Sequence, residues 1–396
     1  AKRGLITMEY ASKDIRNILV AGHAGCGKTT LIEALLYATG ATERMGRVED
    51  GSTVSDFDPE EVRRKASLNS SVVPVESQGT KYNMIDAPGL FDFETGACEG
   101  IMAAESVLIC VSGRSGVTVG AEKAYRLATK HNKARMVFVS KMDLENADYF
   151  KILEQLKIEF GPTICPCVVP ARLDDGTVAY INLFSKKAFK YESGKQIQID
   201  LPDIGHRFEG LIQAMNEAIA ETDEALMEKF FEGEEFTTEE IVSGMAAGVR
   251  TGQITPVFCG SAVNLQALDM LLYNMKELLP SADTAAAVGE DADGNPVEVA
   301  CDAAAPTCAY VFKTVADPFV GKLSFVKVLA GKLTSTSNVT NSRTGQPERL
   351  GKMLTVCGKK QSDTAAIPAG DIGAVAKLTT AKTGDTLCDP ARVVKL

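Results

Sequence analysis

The most constraining stretch of this chain is Gly22-His23-Ala24-Gly25-Cys26-Gly27-Lys28-Thr29-Thr30, set between the apolar run Ile18-Leu19-Val20-Ala21 and the helix-like segment Leu31–Ala38. Glycine, four free positions, then Gly-Lys-Thr, entered from a strand and leaving into a helix, is a loop built to wrap a phosphate chain. Its glycines let the backbone turn tightly. The loop amides and the helix N-terminus supply partial positive charge. In such a loop Lys28 reaches the β- and γ-phosphates and the Thr29 hydroxyl binds Mg²⁺. The motif predicts a nucleoside triphosphate site at the carboxyl edge of a parallel sheet.

From Ile15 to about Leu279 apolar strands alternate with amphipathic helices, the pattern of a mostly parallel sheet covered by helices on both faces. Strands are expected at Ile18–Ala21, Ser71–Val75, Tyr82–Ile85, Val107–Ser112, Met136–Ser140 and Pro256–Gly260. Helices are expected at Leu31–Ala38, Ala121–His131, Asp148–Phe160 and Leu265–Leu279, the last stopped by Pro280. Residues 161–255 break the rhythm with β-rich runs (Val178–Phe184, Ala188–Ile199) and then helices near Ile204–Glu221, Asp223–Glu232 and Thr237–Thr251. They read as an α+β subdomain inserted before the last strand. The expected layout is therefore a nucleotide domain over 1–285, a linker over 286–296, and over 297–396 a small antiparallel β-barrel built from short alternating runs between glycine turns.

Composition narrows the class. With no run of 18 apolar residues the sequence offers no membrane span, and Ala1–Lys13 lacks the apolar core of a secretory signal. The ten cysteines are scattered, several inside apolar runs, which suits buried thiols of a reducing cytoplasm. Cys165-Pro166-Cys167 has no matching second pair and the chain has three histidines, a poor basis for zinc. Asp291–Asn295 faintly resembles a calcium loop but lacks the later ligands and reads as solvated linker. The net charge of −10 is uneven, since residues 297–396 carry 13 Lys and Arg against 8 Asp and Glu. That basic excess is equally compatible with a nucleic-acid-facing module and with ordinary surface variation.

Further segments select the base. Tyr82–Ile85 runs into Asp86-Ala87-Pro88-Gly89, placing Asp86 at a strand end to hold Mg²⁺ through water and the Gly89 amide to meet the γ-phosphate. Met136–Val139 ends in Ser140-Lys141-Met142-Asp143. Asp143 there can accept both N–H groups of guanine while the Lys141 stem covers the ring. Adenine would leave that carboxylate unpaired, at roughly 1.5–3 kcal/mol or more. Pro256–Gly260 leads into Ser261-Ala262, whose amides are placed for guanine O6. Each segment follows a strand, and in this order they read as a guanine-nucleotide site.

With these motifs the chain resembles the translational GTPases, and within them elongation factor G. The resemblance runs from Ile15 to about Pro390 and includes Asp14-Ile15-Arg16-Asn17, Phe57-Asp58-Pro59-Glu60-Glu61, Asp86-Ala87-Pro88-Gly89, Phe138-Val139-Ser140-Lys141-Met142-Asp143 and Phe258-Cys259-Gly260-Ser261-Ala262. The insertion before the last strand favours elongation factor G over elongation factor Tu. Gly321–Val328 and Asn341-Ser342-Arg343-Thr344-Gly345 resemble its second, barrel domain. The factor's further C-terminal domains have no counterpart here, so an excised fragment of a longer protein is expected.

The resemblance implies GTP and GDP with Mg²⁺, catalysis by charge neutralisation and positioning through Lys28 and the Gly89 amide, and a ribosome partner contacted through RNA and protein. It implies a cytoplasmic monomer acting without DNA or membrane. The metal set would be Thr29, Asp86 and Ser67, the last standing where the family has a switch threonine. The chain also departs from the pattern. The family's water-orienting histidine after Pro-Gly is Leu90, and losing such a group typically costs on the order of 10²–10⁴-fold. The loop Asp of related factors is Gly25, the Gly-Ile-Thr of the switch is Lys65-Ala66-Ser67, and the base-reading Asn is Ser140. Binding determinants are kept while hydrolysis determinants are eroded, as in elongation-factor-G-like paralogues. Two readings follow: a ribosome-stimulated GTPase, or a GTP-binding switch that hydrolyses poorly and occupies or regulates the ribosome. A metabolic P-loop kinase or ATPase would leave Asp143 and Ser261-Ala262 without a role.

Overall fold

The computed structural model describes residues 9–318 and 320–396. In chain order, β1 (Ile15–Ala21) feeds the glycine loop and α1 (Lys28–Ala38), and the short α2 (Pro59–Arg64) precedes the hairpin β2 (Ser71–Ser77) and β3 (Thr80–Asp86). Then come α3 (Thr95–Ala103), β4 (Ser106–Ser112), α4 (Val119–Lys130), β5 (Ala134–Ser140), α5 (Tyr149–Phe160) and β6 (Ile164–Pro166). The strands β7 (Val168–Arg172), β8 (Val178–Asn182), β9 (Lys187–Glu192) and β10 (Lys195–Ile199) form their own antiparallel sheet. They are followed by α6 (Arg207–Ala220), α7 (Glu224–Phe231), α8 (Thr238–Thr251), β11 (Thr255–Cys259) and α9 (Leu268–Leu278).

The main sheet is ordered β2-β3-β1-β4-β5-β11-β6 and is parallel except for its edge strand β2. β3, β4, β5 and β11 are buried along their whole length; β4 and most of β5 and β11 read as near-continuous apolar runs, whereas β3 alternates apolar Tyr82 and Met84 with the buried polar Lys81 and Asn83. Register brings Val20 beside Asp86, Ser112 beside Ser140, and Val139 beside Cys259. Every chemically marked loop therefore leaves the same carboxyl edge, where open α/β sheets bind their ligands.

Three expectations shift. Ile164–Pro166, placed within the inserted subdomain, pairs with Thr255–Val257 as the seventh strand of the main sheet, so the excursion begins at Val168. Residues 286–296, read as a linker, are mostly structured: Ala286–Glu290 pairs with Pro296–Ala300 as a hairpin, and Glu290 bridges to Lys395. Its turn is made by Asp291, whose carboxylate accepts the amides of Asp293 and Asn295, both at 2.9 Å. The helix expected from Leu265 starts at Leu268. Residues 261–266 form a closed loop instead, with Ser261 and Gln266 exchanging backbone bonds and Leu265 and Ala267 in the left-handed region.

The capping box Thr237…Glu240 stands as read, with Lys229 on Glu240 at 2.9 Å. Beyond Cys308 the chain forms an eight-stranded antiparallel sheet and a two-stranded one. Together they wrap a core that includes Val311, Val326, Val328, Leu333, Met353, Val375 and Leu387.

Candidate nucleotide-binding site

One cavity of about 740 Å³ opens at the carboxyl edge of the sheet. Of the residues singled out from sequence, Ala24, Gly25, Gly27, Lys28, Thr29, Thr30, Ser67, Gly89, Leu90, Ser140, Lys141, Asp143 and Ala262 line it. The others stand behind this wall. Cys26, Asp86, Ala87, Met142 and Ser261 are buried, Pro88 packs near Gly96, and Gly22 and His23 form the entry to the loop.

The loop's shape follows from its glycines. Gly22 (φ +142) passes so close to the Cys110 carbonyl that a β-carbon there would overlap it, and Gly27 (φ +99) caps α1 in the left-handed region. Lys28 is nearly buried and donates to the carbonyls of Gly22 and His23, each at 3.0 Å, holding the loop closed around its own ammonium. Among the described residues, the amides of Gly25, Gly27, Lys28 and Thr29 have no protein acceptor. Such a ring of amides about a lysine is the standard cradle for a phosphate chain. The half-buried His23 ring lies 5.5 Å from that of Phe91. The Cys26 thiol sits under the loop. A hydrogen bond from Cys110 and the nearby Lys28 charge hold it down at about 6 against the opposing effect of burial.

At one end of the cavity acidic groups converge. Thr29 Oγ1 donates to Asp86 Oδ2 at 2.8 Å and lies 3.3 Å from Ser67 Oγ. Asp86 is fully buried and, among the described residues, its Oδ1 has no partner. The same holds for Oδ2 of Asp56, a carboxylate that sequence reading passed over. Burial, and then the charge of Asp56, push Asp86 up to about 7, while burial raises Asp56 against a hydrogen bond from Ser67. Two orphaned carboxylate oxygens beside two hydroxyls form an all-oxygen donor set that suits a hard divalent cation. Asp56 precedes the Phe57-Asp58-Pro59 run, and nothing local in the sequence marks it. Its role comes from the fold of the segment that carries it.

That segment is held by two glutamates. Glu33 of α1 accepts the amides of Gly46 (3.0 Å) and Val54 (2.5 Å). Glu61 of α2 accepts those of Leu68 and Asn69, both at 3.0 Å, just past Ser67. On the opposite side, Ala24 donates to the Gly89 carbonyl at 3.1 Å. A β-carbon on Gly89 would come within 2.5 Å of Lys28 Nζ, so only glycine fits between loop and lysine. Leu90 lines the cavity as an isobutyl group with nothing to offer a water molecule.

At the other end, Ser261 Oγ donates to Asp143 Oδ1 at 2.6 Å and fixes that carboxylate. The Ser261 amide, expected to face the base, instead bonds to Gln266 O at 3.2 Å within the loop. Ser140 Oγ donates to Cys26 O at 2.6 Å, and Lys141, in the left-handed region, donates to Gly25 O at 2.7 Å. Both tie the base-reading loop to the phosphate loop. The inserted sheet supports this end, since Tyr180 donates to Gln266 Oε1 at 3.0 Å.

A phosphate cradle at a sheet edge, an acidic cluster beside it and a buttressed aspartate at the far end define a P-loop nucleotide-binding protein. Residues 13–281 match the family described as the elongation factor Tu GTP-binding domain, and the chain belongs to that family of translation GTPases. Residues 306–390 match elongation factor G domain 2. A crystal structure of a protein from Thermus thermophilus superposes with a TM-score of 0.84 at 34% identity, over 95% of this chain and 54% of that one. The chain thus spans about half the length of that relative. Among the described residues no helix is long and apolar enough to cross a membrane.

Proposed function

We propose that this chain binds GTP and GDP with Mg²⁺ and hydrolyses GTP to GDP and phosphate in contact with the ribosome, in a translocation-type role like that of elongation factor G. The observation that carries the reading is the pairing of the Lys28 cradle with Asp143, whose carboxylate is held by Ser261 and would accept guanine N–H groups. Thr29 and Ser67 would hold the metal, with Asp86 and Asp56 behind them. The metal would neutralise charge on the β- and γ-phosphates. The protein's own part is to position. Lys28 offsets the charge that develops as the γ-phosphoryl group leaves the bridging oxygen for water, and the Gly89 amide donates to that group. The basic residues of the barrel domain would contact ribosomal RNA through its phosphates.

A second reading, a hydrolysis-poor GTP switch that occupies or regulates the ribosome, draws on Leu90, which lines the cavity where a water-orienting group belongs. Phosphate release with and without ribosomes separates the two. Ribosome-stimulated turnover supports the GTPase, and turnover equal to buffer blanks supports the switch. Leu90→His should raise the ribosome-stimulated rate by about tenfold or more where the site is otherwise competent. Equal rates for the two proteins would mean that another group orients the water.

A further inference from the structure

Four cationic side chains line the nucleotide cavity, namely Lys28, Arg47, Lys65 and Lys141. Lys28 is held by the carbonyls of Gly22 and His23, Lys141 by Gly25 O, and Arg47 lies 3.8 Å from Asp50 and 3.9 Å from Glu49. Among the described residues Lys65 has neither an ion pair nor a side-chain hydrogen bond. Lys65 ends α2 in the left-handed region (φ 54°, ψ 41°), a place where helices ordinarily put glycine because a β-carbon is disfavoured there. Such a conformation in a residue with a long charged side chain, on the wall of a cavity, is a reason to look for function.

The position indicates which part of a nucleotide it faces. Lys65 lies two residues before Ser67, whose hydroxyl is 3.3 Å from Thr29 Oγ1, so it belongs to the phosphate end and not to the Asp143 end. That end holds the buried carboxylates of Asp56 and Asp86, and among the described residues that line the cavity the buried cation there is Lys28. A triphosphate adds more negative charge than Lys28 and one divalent ion offset. We propose that Lys65 reads the terminal phosphate: its ammonium donates charge-assisted hydrogen bonds to oxygens that a triphosphate has and a diphosphate lacks. Lys65 is thus a specificity residue that favours the triphosphate state and draws the Ser67 segment onto it. The inference rests on the nucleotide reading above and deepens it.

The test uses the whole chain with Mg²⁺ and compares binding of GDP and of a non-hydrolysable GTP analogue by calorimetry. Lys65→Gly removes the charge and suits the left-handed backbone, so folding is not at risk, while Lys65→Arg keeps a cation. Lys65→Gly should weaken the analogue by about tenfold or more, leave GDP within about twofold, and be largely rescued in Lys65→Arg. A loss shared equally by both nucleotides, confined to GDP, or absent overturns the role of Lys65 while the site stands. Failure of the unaltered chain to bind either nucleotide overturns the nucleotide reading itself.

Discussion

At the scale of single residues, the proposed guanine recognition would rest on Asp143 and on the serine whose hydroxyl holds it. Its Oδ1 already accepts from Ser261 at 2.6 Å, which leaves the rest of the carboxylate for the base. Replacing the acceptor by an amide donor in Asp143→Asn should move preference from guanosine toward xanthosine nucleotides by about tenfold or more, measured as competition of GDP and XDP for the site. Unchanged guanine preference would place the base elsewhere. Asp143 was legible because a Lys-x-Asp segment after an apolar strand carries its own local signal. Ser261 was legible only as a backbone contact. Its amide turns inward to Gln266 and its hydroxyl does the aiming, a reversal that depends on the closed loop 261–266. Asp56 was not legible at all, since an aspartate between Ser55 and Phe57 resembles many surface aspartates until the fold buries it beside Asp86.

At the scale of elements, the segment from Met45 to Asn69 has almost no regular structure beyond α2, yet it walls one side of the cavity. Local sequence builds α2 itself, through Pro59 in the first turn, Asp58 as cap and the reciprocal Asp58–Glu61 capping box. Its placement depends on Glu33 and Glu61 accepting distant backbone amides, and no periodicity in a sequence announces such contacts. Glu61→Ala should release the amides of Leu68 and Asn69, so that their hydrogen exchange accelerates by about tenfold or more while α1 stays protected. With Ser67 unpinned, Mg²⁺-dependent triphosphate binding should weaken as well. Exchange at Leu68 unchanged from the parent chain would show that the segment is held by other means.

At the scale of the molecule, a buried polar seam joins the barrel to the amino ends of the main sheet. Lys81 pairs with Asp371 at 2.7 Å, with side chains 10% and 9% exposed, and Asn83 donates to the same carboxylate at 2.9 Å. Asn17 links Asn83, Glu105 and the Gly370 carbonyl, and Lys327 of the barrel pairs with Glu105. Nearer the site, the barrel's Lys313 bonds to Ser70, close behind the Ser67 segment. Asp371→Ala leaves the Lys81 ammonium buried without its partner and should cost about 3–5 kcal/mol of unfolding free energy in urea titration. The double variant Lys81→Met/Asp371→Leu should recover most of that loss, because the penalty lies in the unpaired charge more than in the missing pair. No recovery would point to the Asn83 and Asn17 bonds as the main support.

The phosphate loop, the order of strands and helices around it, the Ser140–Asp143 segment and the barrel that follows are all written in the chain itself. Each is a matter of short-range chemistry: glycines where a loop must turn, apolar runs where a strand is buried on both faces, a capping pair where a helix begins. Other outcomes waited for the packed fold: Asp56 joins Asp86, Glu33 and Glu61 pin the irregular wall, and 286–296 becomes part of a hairpin. The binding of the two domains through Asn17, Lys81 and Lys327 belongs with them. These outcomes rest on polar groups far apart in sequence that become strong only when buried together. Burial is a property of the packed fold, which no window of residues contains.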